Sequence, residues 1–531
     1  MGRATEAVWV TSESGARGGK GPPLRFVKGA PAKGPLVKVE LERRRQRVWG
    51  VGSSFTEASA FVLAHLPPVQ RRALMERAFG EQGANFALAR TMIGASDFSV
   101  RGRYSYAQKP EPKLADFSVA VDEEGFARKE HPKIADESYD LLPMIKEALG
   151  IKRGQQDSSL NIVASAWTAP PWMKDIQDWY TRPSKANKWQ GSGGRLLPEH
   201  EASYADYLVK YLDAYAARGV KVWALTPVNE PNGNNGHWES MHFTPASQRD
   251  FIKRHLGPRL KASAHPETKI LIYDQNRDEM RRWTDVILGD VEAARHVFGT
   301  AVHWYSSTVD VYEHDFEAVH AHYPHSQIIH TEGCIDDLGK PAPKGVSDPK
   351  RFQEKGWFAN DAFWWNENAT DWAYTASWAP HPERHPIYTP VHRYARDIIV
   401  GTNHWLSGWI DWNLVLDRNG GPNHVGNFCG APIMIDVDSG QIHYTPVFHV
   451  LSQFSRTIRP GDQALLTRTE LGQLGSDVLH ACATVNPKGL LSVQLLNTTK
   501  RPIELQLQVG EELAILELPA NALQTVQLRL P

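Results

Sequence analysis

Two glutamates sit just past apolar runs, each in a short polar turn: Glu230 in "LTPVNEPNG" (225–233) and Glu332 in "HTEGC" (330–334). Alone, Asn-Glu-Pro is a common turn, and a loop carboxylate that caps the next helix accounts for it fully. As a pair, two carboxylates have a specific use. Glycosidic bond cleavage needs one carboxylic acid to protonate the leaving oxygen and a second carboxylate on the opposite face of the sugar. A gap of ~5–5.5 Å goes with retention of configuration and ~6.5–9.5 Å with inversion. The same chemistry asks for a flat apolar floor under the ring and hydrogen-bonding partners for the hydroxyls. Candidates stand at the ends of other apolar runs: Arg90 and, after a short loop, Asp97; Trp167; Asn229; His303, Trp304 and Tyr305; and Trp409 to Asn413. Singly, the aspartate reads as a helix cap and the tryptophans as core.

These residues must be positioned by strands. Eight apolar strand candidates, each followed by a helical stretch, run from residue 49 to 414: "WGVGSSF", "NFALARTM", "LNIVASAW", "VKVWALTP", "KILIYD", "GTAVHWY", "SQIIHTE" and "SGWIDWNL". That alternation predicts an α/β fold, a closed (β/α)8 TIM barrel with insertions, whose C-terminal strand ends form the active face. An open doubly wound sheet is the alternative, but it wants a glycine-rich phosphate loop after an early strand, and the chain has none. Between the strands, "SYADYLVKYLDAYAARG" places Tyr204, Tyr207, Leu208, Tyr211, Leu212 and Tyr215 on one helical face and ends at Gly219. "FTPASQRDFIKRHLG" predicts a helix with Thr244 as N-cap, Pro245 at the first position and Gly257 as its stop. Residues 11–35 read as irregular, and "LVKVELE" (36–42) alternates like a half-buried strand. Beyond residue 456, "VLHACATVN", "LLSVQLLN", "IELQLQV", "ELAILELP" and "TVQLRL" read as a small β-sandwich. The expected division is 1–48 joining that sandwich, a catalytic barrel over 49–456, and the sandwich over 457–531.

Composition narrows the partners. The 531 residues carry 59 Lys plus Arg against 60 Asp plus Glu, a net charge of −1. That balance gives no electrostatic reason to expect a nucleic acid or an anionic membrane. The 18 tryptophans are many, and tryptophan stacks on the flat faces of sugars as readily as it fills cores. Three cysteines, Cys334, Cys429 and Cys482, form neither a zinc pattern nor a disulfide framework. No apolar run approaches the ~18 residues of a membrane span. The N-terminus lacks a signal-peptide core, so the expectation is cytoplasmic, or periplasmic or secreted if a leader has been removed. The sequons at Asn368 and Asn497 read as chance.

Eight blocks in order, "GVGSSFTEASA", "ARTMIGASDFS", "SAWTAPPWMK", "ALTPVNEP", "FTPASQRDFI", "AVHWY", "HTEGC" and "GWIDWNLVLDRNGGPNHVGNF", resemble those of the glucosylceramidases in family 30 of the glycoside hydrolases. The resemblance spans residue 49 to beyond 450 and extends to that family's side β-domain. It implies a retaining β-glycosidase, glucosidase-like and exo-acting, with a β-linked glycoside as substrate, no cofactor and no metal. It carries the acid/base onto Glu230 and the nucleophile onto Glu332. Sugar-binding positions fall on Asp97, Trp167, Asn229, Trp412 and Asn427, supported by Arg90, His303 and Tyr305. In these roles Asn229 would bond the 2-hydroxyl, Tyr305 would help keep the nucleophile ionised, and Trp412 would floor the ring. Within the family a β-1,6-glucanase, β-xylosidase or β-fucosidase is the alternative. An inactive sugar-binding protein is the distant one.

Two features depart from the animal enzymes. "HTEGC" replaces a serine and an alanine around the glutamate, and the segment 336–396 is enlarged and rich in aromatics. Trp364, Trp365, Trp372, Trp378 and Tyr388 there either pack an enlarged loop or line a leaving-group subsite. Finally, His314, His320, His322, His325 and His330 crowd seventeen residues, but no metalloprotease or carboxylate pattern accompanies them.

Overall fold

A computed structural model of the chain describes residues 2–232, 236–338, 357–366 and 388–531. Its centre is a closed parallel barrel. The strands are β1 (Gly50–Ser53), β2 (Leu88–Ile93), β3 (Asn161–Ala166), β4 (Ala224–Thr226), β5 (Lys269–Asn276), β6 (Val297–His303), β7 (Gln327–Glu332) and β8 (Leu406–Asp411). Neighbours follow chain order around the ring, and β8 pairs with β1 to close it. The β1–β2 seam depends on Gly52, where an added Cβ would lie 1.7 Å from the Leu88 carbonyl oxygen. Inside, Leu88, Val163, Ala224, Leu271, Ala301, Ile329 and Ile410 fill the barrel. Trp49, Trp223 and Phe298 plug its lower end, with ring centroids 5.0 to 5.6 Å apart. The middle is packed hydrocarbon, so polar side chains collect at the C-terminal ends of the strands.

The helix Glu201–Ala217 buries the predicted tyrosine and leucine face, and Gly219 follows at φ +80°. The helix at Thr244 differs from expectation. Thr244 does cap it and Pro245 does open it, but Gly257 does not end it. A π-helical turn over Ile252–Leu256 leads into a further turn, Gly257–Lys261. Gly257 serves close packing instead, since a Cβ there would meet the His296 ring at 2.3 Å.

The other structured body is an eleven-stranded sheet wrapped around its own apolar core, including Phe26, Val37, Leu465, Val493, Leu507 and Val526. Leu36–Arg47 lies between Ile503–Val509 and Gln463–Glu470, so the early strand does cross to the C-terminal ones. Residues 11–35 are not irregular throughout. Ala7–Ser12, Arg17–Lys20 and Arg25–Lys28 are strands of this sheet. Glycine and lysine obscured them, since much of what holds them is main-chain pairing, Val8 opposite Val526 and Trp9 opposite Lys20, with Phe26 and Val8 buried. Asn497 is buried in Leu490–Asn497 with its amide spent on the Arg501 and Pro519 carbonyls, so its sequon is structural. No described helix is long and apolar enough to cross a membrane.

Candidate active site

At the barrel mouth the strand ends are bonded to one another through buried polar side chains. Arg90, on β2, is fully buried and acts as the hub. Its Nη2 donates to Asp274 Oδ2 on β5 and to Asn229 Oδ1 after β4, both at 2.7 Å. Its Nε reaches Ser165 Oγ on β3 at 3.0 Å, and its Nη1 reaches Glu332 Oε2 on β7 at 2.5 Å. Asp274 also accepts from Thr226 and Thr331 and faces His303 Nε2 at 3.0 Å. Burial alone would raise the Asp274 carboxyl, but the Arg90 charge and the His303 hydrogen bond hold it far below the usual carboxylate range. On the β8–β1 side, Asp411 meets Ser53 Oγ and Tyr394 OH at 2.8 and 2.6 Å. With no cation beside it, burial pushes Asp411 well above the carboxylate range. The mouth therefore holds two buried aspartates in different settings, Asp274 beside a guanidinium and Asp411 held by hydroxyls.

Glu230 and Glu332 face each other across this base. Glu230 sits at φ +47°, a left-handed backbone that few non-glycine residues adopt, and its N–H donates to the Asp274 carbonyl at 2.9 Å. Its Oε1 lies 3.0 Å from His303 Nδ1. A carboxylate oxygen of Glu230, a ring nitrogen of His303 and a carboxylate oxygen of Glu332 lie within 4.8 Å of one another. Tyr305 OH donates to Glu332 Oε1 at 3.1 Å. Burial and the neighbouring Glu230 push the Glu332 carboxyl up, against the pull of His303 and Arg90. His303 is fully buried, yet Glu332 and its bonds to Asp274 and Glu230 outweigh that burial and raise it to about 9.

One wall of the mouth is aromatic. Trp167 and Trp412 stack at 5.2 Å with 21° between planes, and the Arg90 guanidinium lies 4.8 Å from the Trp167 ring centre. Trp167 Nε1 is buried and makes no hydrogen bond among the described residues. Asp97 Oδ2 accepts from the Asn427 amide at 3.1 Å and from the Asn423 amide at 3.4 Å. Burial raises Asp97 to about 7, the Asn427 bond notwithstanding. Phe98, the next residue, packs edge-on to Trp412.

The chain matches the Glycosyl hydrolase family 30 TIM-barrel domain over residues 48–343 and 383–458. It belongs to glycoside hydrolase family 30. The family's beta sandwich domain matches residues 468–526. Lysosomal acid glucosylceramidase of Mus musculus is 29% identical over 476 residues, covering 89% of this chain and 79% of that one. Endo-1,6-beta-D-glucanase BGN16.3 of Trichoderma harzianum is 24% identical, covering 91% and 84%. The crystal structure of SrfJ from Salmonella typhimurium superposes over all of both chains with a TM-score of 0.78 at 23% identity, a likeness of fold.

In this family 30 hydrolase the strand ends bring Arg90, Asn229, Glu230, His303, Tyr305 and Glu332 into one bonded cluster, with Trp167 and Trp412 stacked over Arg90 and the Asp97–Asn427 pair close by. Sequence reasoning passed over Asp274, Glu239, Asn423 and His424. Asp274 had a signal, an acid ending the apolar run "KILIYD". The others lie in loops with none. Among the described residues, Glu230, His303 and Glu332 are also the one grouping that brings three ligand atoms together. A metal does not suit it: Arg90 already bonds Glu332, and both His303 ring nitrogens are engaged, Nδ1 with Glu230 and Nε2 with Asp274. The histidine-rich stretch divides between two places. His320, on the helix Glu313–His322, stacks on Trp405, whereas His330 is buried on β7 against Trp409. Trp364 and Trp365 are buried, and Trp364 Nε1 donates to the Phe358 carbonyl, so these two pack the segment. Tyr388 lies against Arg393. Trp372 and Trp378 are outside the described residues.

Proposed function

We propose that this chain is a retaining, exo-acting β-glucosidase with glucosylceramidase-like chemistry, working through a covalent glycosyl-enzyme. Glu332 is the nucleophile and Glu230 the acid/base. The observation that carries this reading is the pairing of the two carboxylates, oxygens within 4.8 Å, with different surroundings. That close approach is compatible with the short gap of double displacement. Glu332 accepts from a guanidinium and a phenol, which favour its ionised form. Glu230 Oε1 lies 3.0 Å from His303 Nδ1, and as the acid/base of this reading Glu230 supplies the proton that the leaving oxygen takes.

In the first step Glu332 attacks the anomeric carbon as Glu230 protonates the departing oxygen. In the second, Glu230 takes a proton from water, which attacks the same carbon and releases Glu332. Trp412 and Trp167 supply the apolar wall. Asn229, its carbonyl oxygen fixed by Arg90, turns its amide toward the 2-hydroxyl, where contacts tighten in the oxocarbenium-like transition state. Glu332→Gln should leave the fold intact and remove turnover of aryl β-glucosides. Retained turnover overturns the assignment. The Trichoderma relative's β-1,6-glucanase name supports a second reading, and β-1,6-linked oligosaccharides tested beside glucosylceramide and aryl β-glycosides, xylosides and fucosides included, separate the two.

A further inference from the structure

The loop after β8 carries Asn423 and Asn427 to Asp97, and residues unrelated to the reaction clamp it there. His424 lies between the two asparagines. Its main-chain N–H donates to the Asp97 carbonyl at 3.2 Å. Its ring spans to two other segments: Nδ1 is 3.0 Å from the Ser99 carbonyl oxygen, and Nε2 is 3.0 Å from Glu239 Oε1 on the β4 connection. A carbonyl oxygen only accepts, and so does a carboxylate, so each ring nitrogen must carry a proton. The Arg103 guanidinium lies 3.7 Å from the same Glu239 oxygen. Glu239 is wholly buried, and among the described residues its Oε2 makes no hydrogen bond, so its Oε1 carries the contact to the ring. Within the loop Asn423 Oδ1 accepts from the Val425 and Asn427 amides, which makes the asparagines and His424 one rigid turn.

We propose that His424 is an imidazolium latch, gripped by Glu239 and Ser99, that holds the Asn423–Asn427 turn on Asp97 and so sets sugar affinity. It is a positioning residue with no contact to the reacting atoms. The link to affinity rests on the reading of Asp97 and Asn427 as sugar ligands; the latch itself does not. The charged groups facing the ring are Glu239 and Asp97, with Arg103 behind Glu239. Burial lowers the imidazole, but the Glu239 bond and charge, with Asp97, more than offset it, leaving it above the ordinary histidine value. The latch is thus complete at low pH and opens as pH rises through that raised value, when the ring gives up one proton and one acceptor loses its donor.

The test uses the full chain labelled with ¹⁵N-histidine. The His424 signal, assigned by its absence in His424→Gln, should show both ring nitrogens protonated at pH 7, and Glu239→Gln, nearly isosteric, should lower its titration midpoint by about one unit. Hydrogen exchange at the Val425 and Asn427 amides should quicken about tenfold in either variant. With an aryl β-glycoside that the wild type cleaves, KM should rise about tenfold in both variants while kcat stays within about threefold. In the wild type KM should climb with pH at the His424 midpoint, and that dependence should vanish in His424→Gln. A neutral tautomer at pH 7, or unchanged exchange in both variants, overturns the latch. Unchanged KM with faster exchange overturns its role in affinity. Failure of the wild type to cleave any β-glycoside would count against the proposed function and leave the spectroscopic result standing.

Discussion

At the residue scale, one arginine decides how the mouth is organised. Arg90 donates from three nitrogens to four partners on three other strands and a loop, and its planar fork satisfies them together. An ammonium is a point donor with a shorter reach and no fork. Arg90→Lys would keep the charge while leaving Asn229 or Glu332 unpositioned. We expect kcat/KM on an aryl β-glucoside to fall about 10²- to 10³-fold, with the circular dichroism spectrum unchanged. A fall of less than tenfold would show that charge alone suffices. Arg90 was legible in the sequence as a polar residue within an apolar strand, while its principal partner was not. Asp274 closes an apolar run, where an aspartate reads as an ordinary strand terminator, and only the closed ring brings β5 within reach of β2. The left-handed backbones of Tyr273 and Asp274 were equally hidden, because no glycine or turn signal marks them.

At the scale of elements, the helix Pro390–Asn403 is pinned to the barrel by a buried ion pair. Arg277, after β5, bonds both oxygens of Asp397 on that helix at 2.7 and 2.8 Å, and Trp409 Nε1 of β8 donates to Oδ1 at 2.8 Å. Burial alone would raise the Asp397 carboxyl, but the Arg277 charge and hydrogen bonds hold it at about 2. A depressed carboxyl stabilises the fold above its unfolded value of about 3.9 and loses that contribution as pH falls through about 2. Asp397→Asn strands the guanidinium in a dry site, so urea unfolding at pH 7 should report a loss of about 3–5 kcal/mol. The loss should narrow by about 2–3 kcal/mol at pH 2, where the wild type begins to lose the same charge. Equal losses at both pH values would deny the pair its role. The barrel elements were legible because eight strands and their helices repeat one pattern, and the tyrosine face of Glu201–Ala217 follows from period alone. Gly257 was misread since a glycine demanded by close packing looks identical in sequence to one that ends a helix. Of the strands near residues 11–35, Ala7–Ser12 and Arg25–Lys28 pair with strands some five hundred residues away, beyond the reach of local pattern, and Arg17–Lys20 pairs with Ala7–Ser12.

At the scale of the whole molecule, the eleven-stranded sheet is bonded to the barrel through the helix Pro446–Thr457. Gln453 is buried on that helix, and its amide serves both bodies. Its Nε2 donates to the Trp9 and Leu523 carbonyls at 3.3 and 3.2 Å and to Thr525 Oγ1 at 2.9 Å, while Oε1 accepts from Thr11 Oγ1 at 2.7 Å. Thr457 extends the seam by accepting from Gln494 Nε2 at 2.9 Å. On the neighbouring helix Asn403 copies a strand edge, giving and receiving one bond each with the Thr467 main chain at 2.9 Å. Polar contacts of this kind have direction, so they fix how the sheet sits as well as holding it. Gln453→Leu keeps the volume and removes every one of its bonds, leaving two carbonyls and two hydroxyls of the sheet with fewer partners. The expected cost is about 2–4 kcal/mol, read as a lower urea midpoint. Since barrel and sheet share this wall, neither can leave without exposing the other's face. Calorimetry should therefore show a single transition in the wild type, moved down but still single in Gln453→Leu. Two separate transitions in the wild type would mean that the sheet is an independent appendage, and kcat/KM should then survive its unfolding. A single transition, with activity lost across it, makes the sheet a structural part of the catalytic barrel.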